Sequence, residues 1–121
     1  MGAMARGACY IGTSGWSYPH WAKDRFYPKG LKSGEWLAFL AGQFNTVEIN
    51  SSFYRLPKPE LVARWREVTK PNFRFAVKLW RGITHYKRLA DCASEVRDFW
   101  RAIAPLAAKL GPLLVQLPPS M

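Results

Sequence analysis

Four short apolar segments alternate with stretches of helical periodicity, and this alternation constrains the fold more than any other feature of the chain. The strand candidates are Cys9–Gly12, Thr46–Asn50, Phe73–Lys78 and Leu113–Leu117. Each interval supplies the dozen or more residues that a parallel crossover needs. Strands alternating with helices make a parallel α/β sheet. Eight such units, over about 250 residues, close a TIM barrel. At 121 residues the expectation is a single parallel (β/α)4 half of a TIM-barrel-like fold over 9–121. Residues 1–8 read as a flexible leader or an expression remnant. Half a barrel has two unpaired edges, which invite association, so closure as a homodimer is one expectation. A small open α/β sheet is the alternative.

Composition narrows the class. The chain is 49% hydrophobic, enough for a core rather than disorder. No apolar run reaches the roughly 18–20 residues of a membrane span. Cys9 and Cys92 are too few for a disulfide framework and lack metal-ligand spacing. No metal and no cofactor is therefore expected, and a cytoplasmic, reducing setting fits. Cys9 reads as a small core residue, and Cys92 lacks a neighbouring base to make it a nucleophile. Eighteen Lys and Arg against eight Asp and Glu give a net charge of +10, which favours anionic partners.

Local signals place the helices. Ser33 is a candidate cap for a helix with Trp36, Leu37 and Leu40 on one face. Pro59 suits a first helical position, with Glu60 in the favourable first turn. A third helical pattern runs through Val96, Phe99, Trp100, Ile103 and Leu106. Pro105 is expected to kink it and Gly111-Pro112 to stop it. Trp36, Trp65 and Trp100 sit at helical spacing among apolar residues and read as helix-to-sheet packing.

The strand ends carry the candidate chemistry. Within Thr46–Asn50, Val47 and Ile49 point one way and Thr46, Glu48 and Asn50 the other. A polar row in a parallel sheet needs partners or a function. In barrel enzymes the C-terminal strand ends hold the active site. Glu48 is a candidate general acid or base, and Lys78 a candidate charge partner or anion contact. The bland alternative is a buried Glu48–Lys78 pair satisfying itself. His85, in the loop after the third strand, is a candidate for proton transfer. His20 reads more simply as local aromatic packing. Thr13 and Ser14, Asn50 and Gln116 are candidates to bind and orient a ligand. Trp16, Phe53 and Tyr54 either stack on a ligand or pack the loops together, and Arg55 adds positive charge beside them. No Walker loop, dinucleotide fingerprint, nucleophile elbow or zinc-protease helix occurs.

Several segments resemble the DUF72, or YecE-like, family. They are Ile11-Gly12-Thr13-Ser14-Gly15-Trp16-Ser17-Tyr18, Phe26-Tyr27-Pro28, Thr46–Pro57, Phe75–Lys78, Ile83-Thr84-His85 and Leu110–Pro119. The resemblance implies a TIM-barrel-like fold roughly twice this length or more, with the N-terminal half present here. It implies no settled activity. Its motif positions coincide with the strand-end residues already singled out. Three functional expectations stand, and whether the chain is an enzyme is left open. One is an enzyme-like pocket for a small polar or anionic ligand, phosphorylated compounds included. The second is nucleic-acid binding or nuclease-like action, suggested by charge and loop aromatics. The third is an inactive structural half-barrel that self-associates.

Overall fold

The computed structural model describes residues 7–121. Most of the expected 1–8 leader lies outside these described residues. The element order is β1 (Gly12–Ser14), α1 (Trp36–Gln43), β2 (Thr46–Ile49), α2 (Pro59–Glu67), β3 (Arg74–Lys78), α3 (Ala93–Ile103) and β4 (Leu110–Leu114). The strands form one sheet in the order β1-β2-β3-β4, and every pair is parallel. This is the four-stranded parallel sheet with flanking helices that the alternation predicts. Consecutive strands are neighbours, so β1 and β4 are the two edges.

The core lies on one side of the sheet. Val47 and Ile49 of β2 pair with Phe75 and Val77 of β3, and all four are buried with Leu37, Leu40, Val62, Phe99 and Ile103 from the helices. Phe73 adds an edge-on contact to Phe75 at 5.0 Å between ring centroids. The period of two in β2 and β3 therefore selects the helix-covered face.

The helix ends use local chemistry. Pro59 and Glu60 open α2 as expected. At its other end the Lys109 ammonium donates to the carbonyls of Arg66 and Thr69, each at 2.6 Å. The Arg66 carbonyl is one of those a helix C-terminus leaves without a partner, and Thr69 lies just past the cap. Ser33 does not cap α1. The chain enters through a 3-10 turn over Ser33–Glu35, where the Glu35 carboxylate accepts from the Lys32 amide at 3.1 Å. Pro105 has its expected effect: α3 ends at Ile103 and tightens into a 3-10 segment, with Ala107 at φ 52°.

Four further expectations are corrected. The first strand is Gly12–Ser14, not Cys9–Gly12. The preceding residues are held mainly by the Asn45 side chain, which accepts from the Ile11 amide at 2.8 Å and donates to the Cys9 carbonyl at 2.7 Å. Cys9 is exposed rather than in the core. Gly12 itself passes so close to β2 that a Cβ would lie 1.9 Å from the Thr46 carbonyl oxygen. The fourth strand begins at Leu110 and contains Gly111 and Pro112 rather than following them. An edge strand tolerates proline because one row of its amides needs no partner, and the β3–β4 register is irregular between Phe75 and Val77. Trp36 and Trp65 are buried as expected, but Trp100 is 52% exposed. It follows Phe99 by one residue, about 100° around the helix, and Phe99 takes the inward position.

The long first loop is an ordered aromatic layer. Tyr27 is fully buried and stacks on Trp36 at 5.0 Å with rings nearly parallel. Its hydroxyl donates to the Trp16 carbonyl. Burial, with a smaller contribution from Tyr18, pushes the Tyr27 phenol up to about 12.

Candidate functional site

The face opposite the core carries the polar row. Ser14 lies beside Glu48 in the β1–β2 register, and its hydroxyl donates to Glu48 Oε1 at 3.0 Å. Lys78 lies one step beyond the Ile49–Val77 pair. Its ammonium donates to Asn50 Oδ1 at 3.3 Å and sits 4.4 Å from the Phe53 ring centroid. The alternative of a self-satisfying Glu48–Lys78 pair is not what forms: Glu48 meets Ser14 and Lys78 meets Asn50 and Phe53. The register explains this. Glu48 stands opposite Ala76, so Lys78 is offset toward Asn50.

A short 3-10 turn, Ser51–Phe53, follows β2. The buried Ser52 hydroxyl contacts the Ile49 carbonyl at 3.0 Å and the Lys78 carbonyl at 2.6 Å. It joins the ends of β2 and β3 and holds Phe53 under the lysine. After β3 the chain forms a π-helical turn over Gly82–Tyr86, a local form often found at functional sites. His85 Nδ1 hydrogen-bonds the buried Thr84 hydroxyl at 2.8 Å, the donor being set by the imidazole tautomer. The His85 ring meets Phe53 edge-on at 5.0 Å. Asn50, Phe53, Lys78 and His85 therefore form one cluster.

Beside it lies a cleft of about 480 Å³, bounded by Gly15–Tyr18, Asn50, Ser51 and Tyr54 and backed by Leu61 and Trp65 of α2. Its volume is in the range of small-molecule sites. Trp16 meets Trp65 edge-on at 5.2 Å. Gly15 has φ +77°, and a Cβ there would lie 2.6 Å from the Tyr18 hydroxyl oxygen. Asn50 and Tyr54 link the cleft to the cluster.

The remaining candidates separate. Thr13 pairs with Val47 in the register, placing it on the opposite face from Ser14, and its hydroxyl donates to the Gly15 carbonyl at 2.8 Å. Gln116 follows β4 and is exposed, as is Arg55. The cleft-lining role of Trp65 and the bridging role of Ser52 escape a reading by helical period or motif. The local signal for the second is a small polar residue just past a strand, inside the Thr46–Pro57 segment. Among the described residues, no group of three or more His, Cys, Asp or Glu is arranged to hold a metal ion. No helix among them is long and apolar enough to cross a membrane.

A parallel α/β sheet with polar residues gathered at the C-terminal strand ends defines a half-barrel-like class, and comparison with known proteins makes the assignment specific. Residues 10–121 match the family described as "Protein of unknown function DUF72". The chain belongs to the DUF72 (UPF0759) family. It is 41% identical over 109 residues to the UPF0759 protein YecE of Escherichia coli K12, covering 90% of this chain and 37% of that protein. It is 30% identical over 116 residues to the UPF0759 protein YunF of Bacillus subtilis, covering 91% and 40%. A crystal structure of a DUF72 family protein from Thermotoga maritima aligns with a TM-score of 0.74 at 32% identity, covering 90% of this chain and 44% of that one. The chain thus spans about two-fifths of the length of the curated relatives it matches.

Proposed function

We propose that the Asn50–Phe53–Lys78–His85 cluster and its adjoining cleft bind a small polar or anionic ligand, with phosphorylated compounds the favoured class. The observation carrying this reading is the environment of Lys78, which contacts the neutral Asn50 and Phe53 and, among the described residues, has no carboxylate partner. A cation held by an amide and an aromatic face retains a field for an incoming oxyanion. Asn50 would orient the ligand, while Glu48 and His85 are the groups available for proton transfer. Trp16 lines the cleft and would contact the ligand, while Ser14 would hold the Glu48 carboxylate; the reaction class is left open. Titration with inorganic phosphate and a panel of small phosphates and carboxylates tests the proposal. Lys78→Ala is expected to weaken anion binding while leaving the fold intact, and equal binding by both proteins across the panel would remove Lys78 from the site.

A second reading, nucleic-acid binding, is favoured by the net charge of +10 and by Tyr54 and Tyr86, which are 54% and 68% exposed. Oligonucleotide titration at two salt concentrations tests it, and absence of binding at low salt would end it. A third reading concerns assembly. Residues 9–121 would act as one barrel-like unit, its edges pairing with a second copy to complete an eight-stranded barrel. Leu113 and Leu114 of β4, with Val115 and Leu117 just after it, are exposed, which supports pairing at that edge. Light scattering across a dilution series should give a mass near twice 13.8 kDa. A monomer at every concentration would rule out this closure.

A further inference from the structure

Arg81 stands just after β3 and opens the π-helical turn. Its guanidinium carbon lies 5.3 Å from the Tyr54 ring centroid and 5.5 Å from that of Tyr86. The Nε atom is buried and, among the described residues, has no hydrogen-bond acceptor. A buried guanidinium nitrogen without an acceptor is costly, and arginines in such places usually meet a carboxylate. Here two aromatic faces hold the group instead. A π face attracts the cation but carries no net charge, so Arg81 is positioned without being neutralised. Tyr54 also lines the cleft and meets Phe53 edge-on at 5.1 Å, and Phe53 lies beneath Lys78. The tyrosine thus connects the guanidinium to the cleft and to the lysine.

We infer that Arg81 is an anion-recognition residue of this site, held by Tyr54 and Tyr86, and that the ligand is an organic oxyanion whose non-polar body occupies the cleft beside Trp16 and Trp65. This inference rests on the ligand-binding reading above and adds a second cation and a ligand class to it. The planar fork of arginine suits a phosphate or carboxylate better than a point charge does. The cleft walls are largely aromatic and aliphatic, which suits a ring or short chain attached to the anionic group.

Phenyl phosphate, inorganic phosphate and phenol, titrated into the 121-residue chain by calorimetry, separate the contributions. Phenyl phosphate should bind more tightly than either of the others. Arg81→Gln should weaken phenyl phosphate binding by about tenfold or more, and phenol binding should change less than about twofold. Arg81→Lys should recover only part of the loss, because lysine lacks the fork. Tyr86→Leu, a change at an exposed position, should weaken phenyl phosphate severalfold by releasing the guanidinium. If Lys78→Met weakens phenyl phosphate but Arg81→Gln does not, the Lys78 site stands and the Arg81 inference falls. If phenyl phosphate binds no better than phenol, both fall. If inorganic phosphate binds as tightly as phenyl phosphate, the cleft has no part in recognition and the assigned ligand class is wrong.

Discussion

The two faces of the sheet obey different rules. On the helix-covered face, Val47, Ile49, Phe75 and Val77 are buried in continuous apolar contact. On the opposite face, Ser14, Glu48, Asn50 and Lys78 remain partly accessible and meet through individual hydrogen bonds. The first face supplies stability because burial scales with area and needs little directional accuracy. The second contributes little stability, since accessible polar pairs are worth about 1 kcal/mol or less. Its arrangement suits the ligand-binding role proposed above. Stability and candidate chemistry thus sit one residue apart along β2 and β3, separated only by the alternation of a strand.

That contrast can be broken from the core side first. Phe75→Ala should lower unfolding free energy by about 4 kcal/mol, the usual scale for removing a buried aromatic ring. Denaturant melts followed by circular dichroism read this directly, and a loss under about 1 kcal/mol would mean that the buried face is not the source of stability. Gly12→Ala should cost about 3 kcal/mol, because the new methyl meets the Thr46 carbonyl and β1 must move. A melt unchanged from the parent would show that β1 does not pack on β2 so closely. Ser52→Ala lies between the faces. Losing its contacts to Ile49 and Lys78 should cost about 2 kcal/mol, and it should also weaken anion binding by loosening Phe53. Weakened stability with unaltered binding would separate the seam from the site.

Alkaline titration sharpens the same contrast. The Tyr27 phenol is raised in the folded protein to about 12 from an ordinary value of 10.0. The folded state therefore keeps this proton more firmly than the unfolded chain. The associated stability is fully present below pH 10 and is lost as the pH rises toward about 12. Tyr27→Phe should remove that part of the pH dependence, and identical alkaline profiles would refute the assignment. The smallest expected effect is Glu48→Gln, which should change stability by no more than about 0.5 kcal/mol. A larger loss would move Glu48 from the site into the structural framework.

Elements defined by neighbouring residues were legible in the chain itself. The alternation through Val47, Ile49, Phe75 and Val77, the opening of α2 at Pro59 and the break at Pro105 all follow from backbone geometry over a few residues. The family resemblance was also readable, because its motifs are contiguous. Position along an edge was harder. Residues Cys9–Ile11 look like a strand, yet the distant Asn45 side chain holds them mainly by its own hydrogen bonds. Gly111-Pro112 looks like a helix stop, yet both residues lie within the edge strand, at the irregularity between Leu110 and Leu113, which pair with Phe75 and Val77 of β3.

By itself the sequence determined a parallel α/β sheet with one apolar face, because the side-chain period belongs to the strand and needs no partner to be expressed. Tertiary structure alone decided which polar groups meet. Strand register set Glu48 against Ser14 and Lys78 against Asn50, where a Glu48–Lys78 pair was one open alternative, and loop packing brought Arg81 between two tyrosines. Those choices depend on offsets of a few ångströms between segments that are distant in the chain, and local patterning does not encode such offsets.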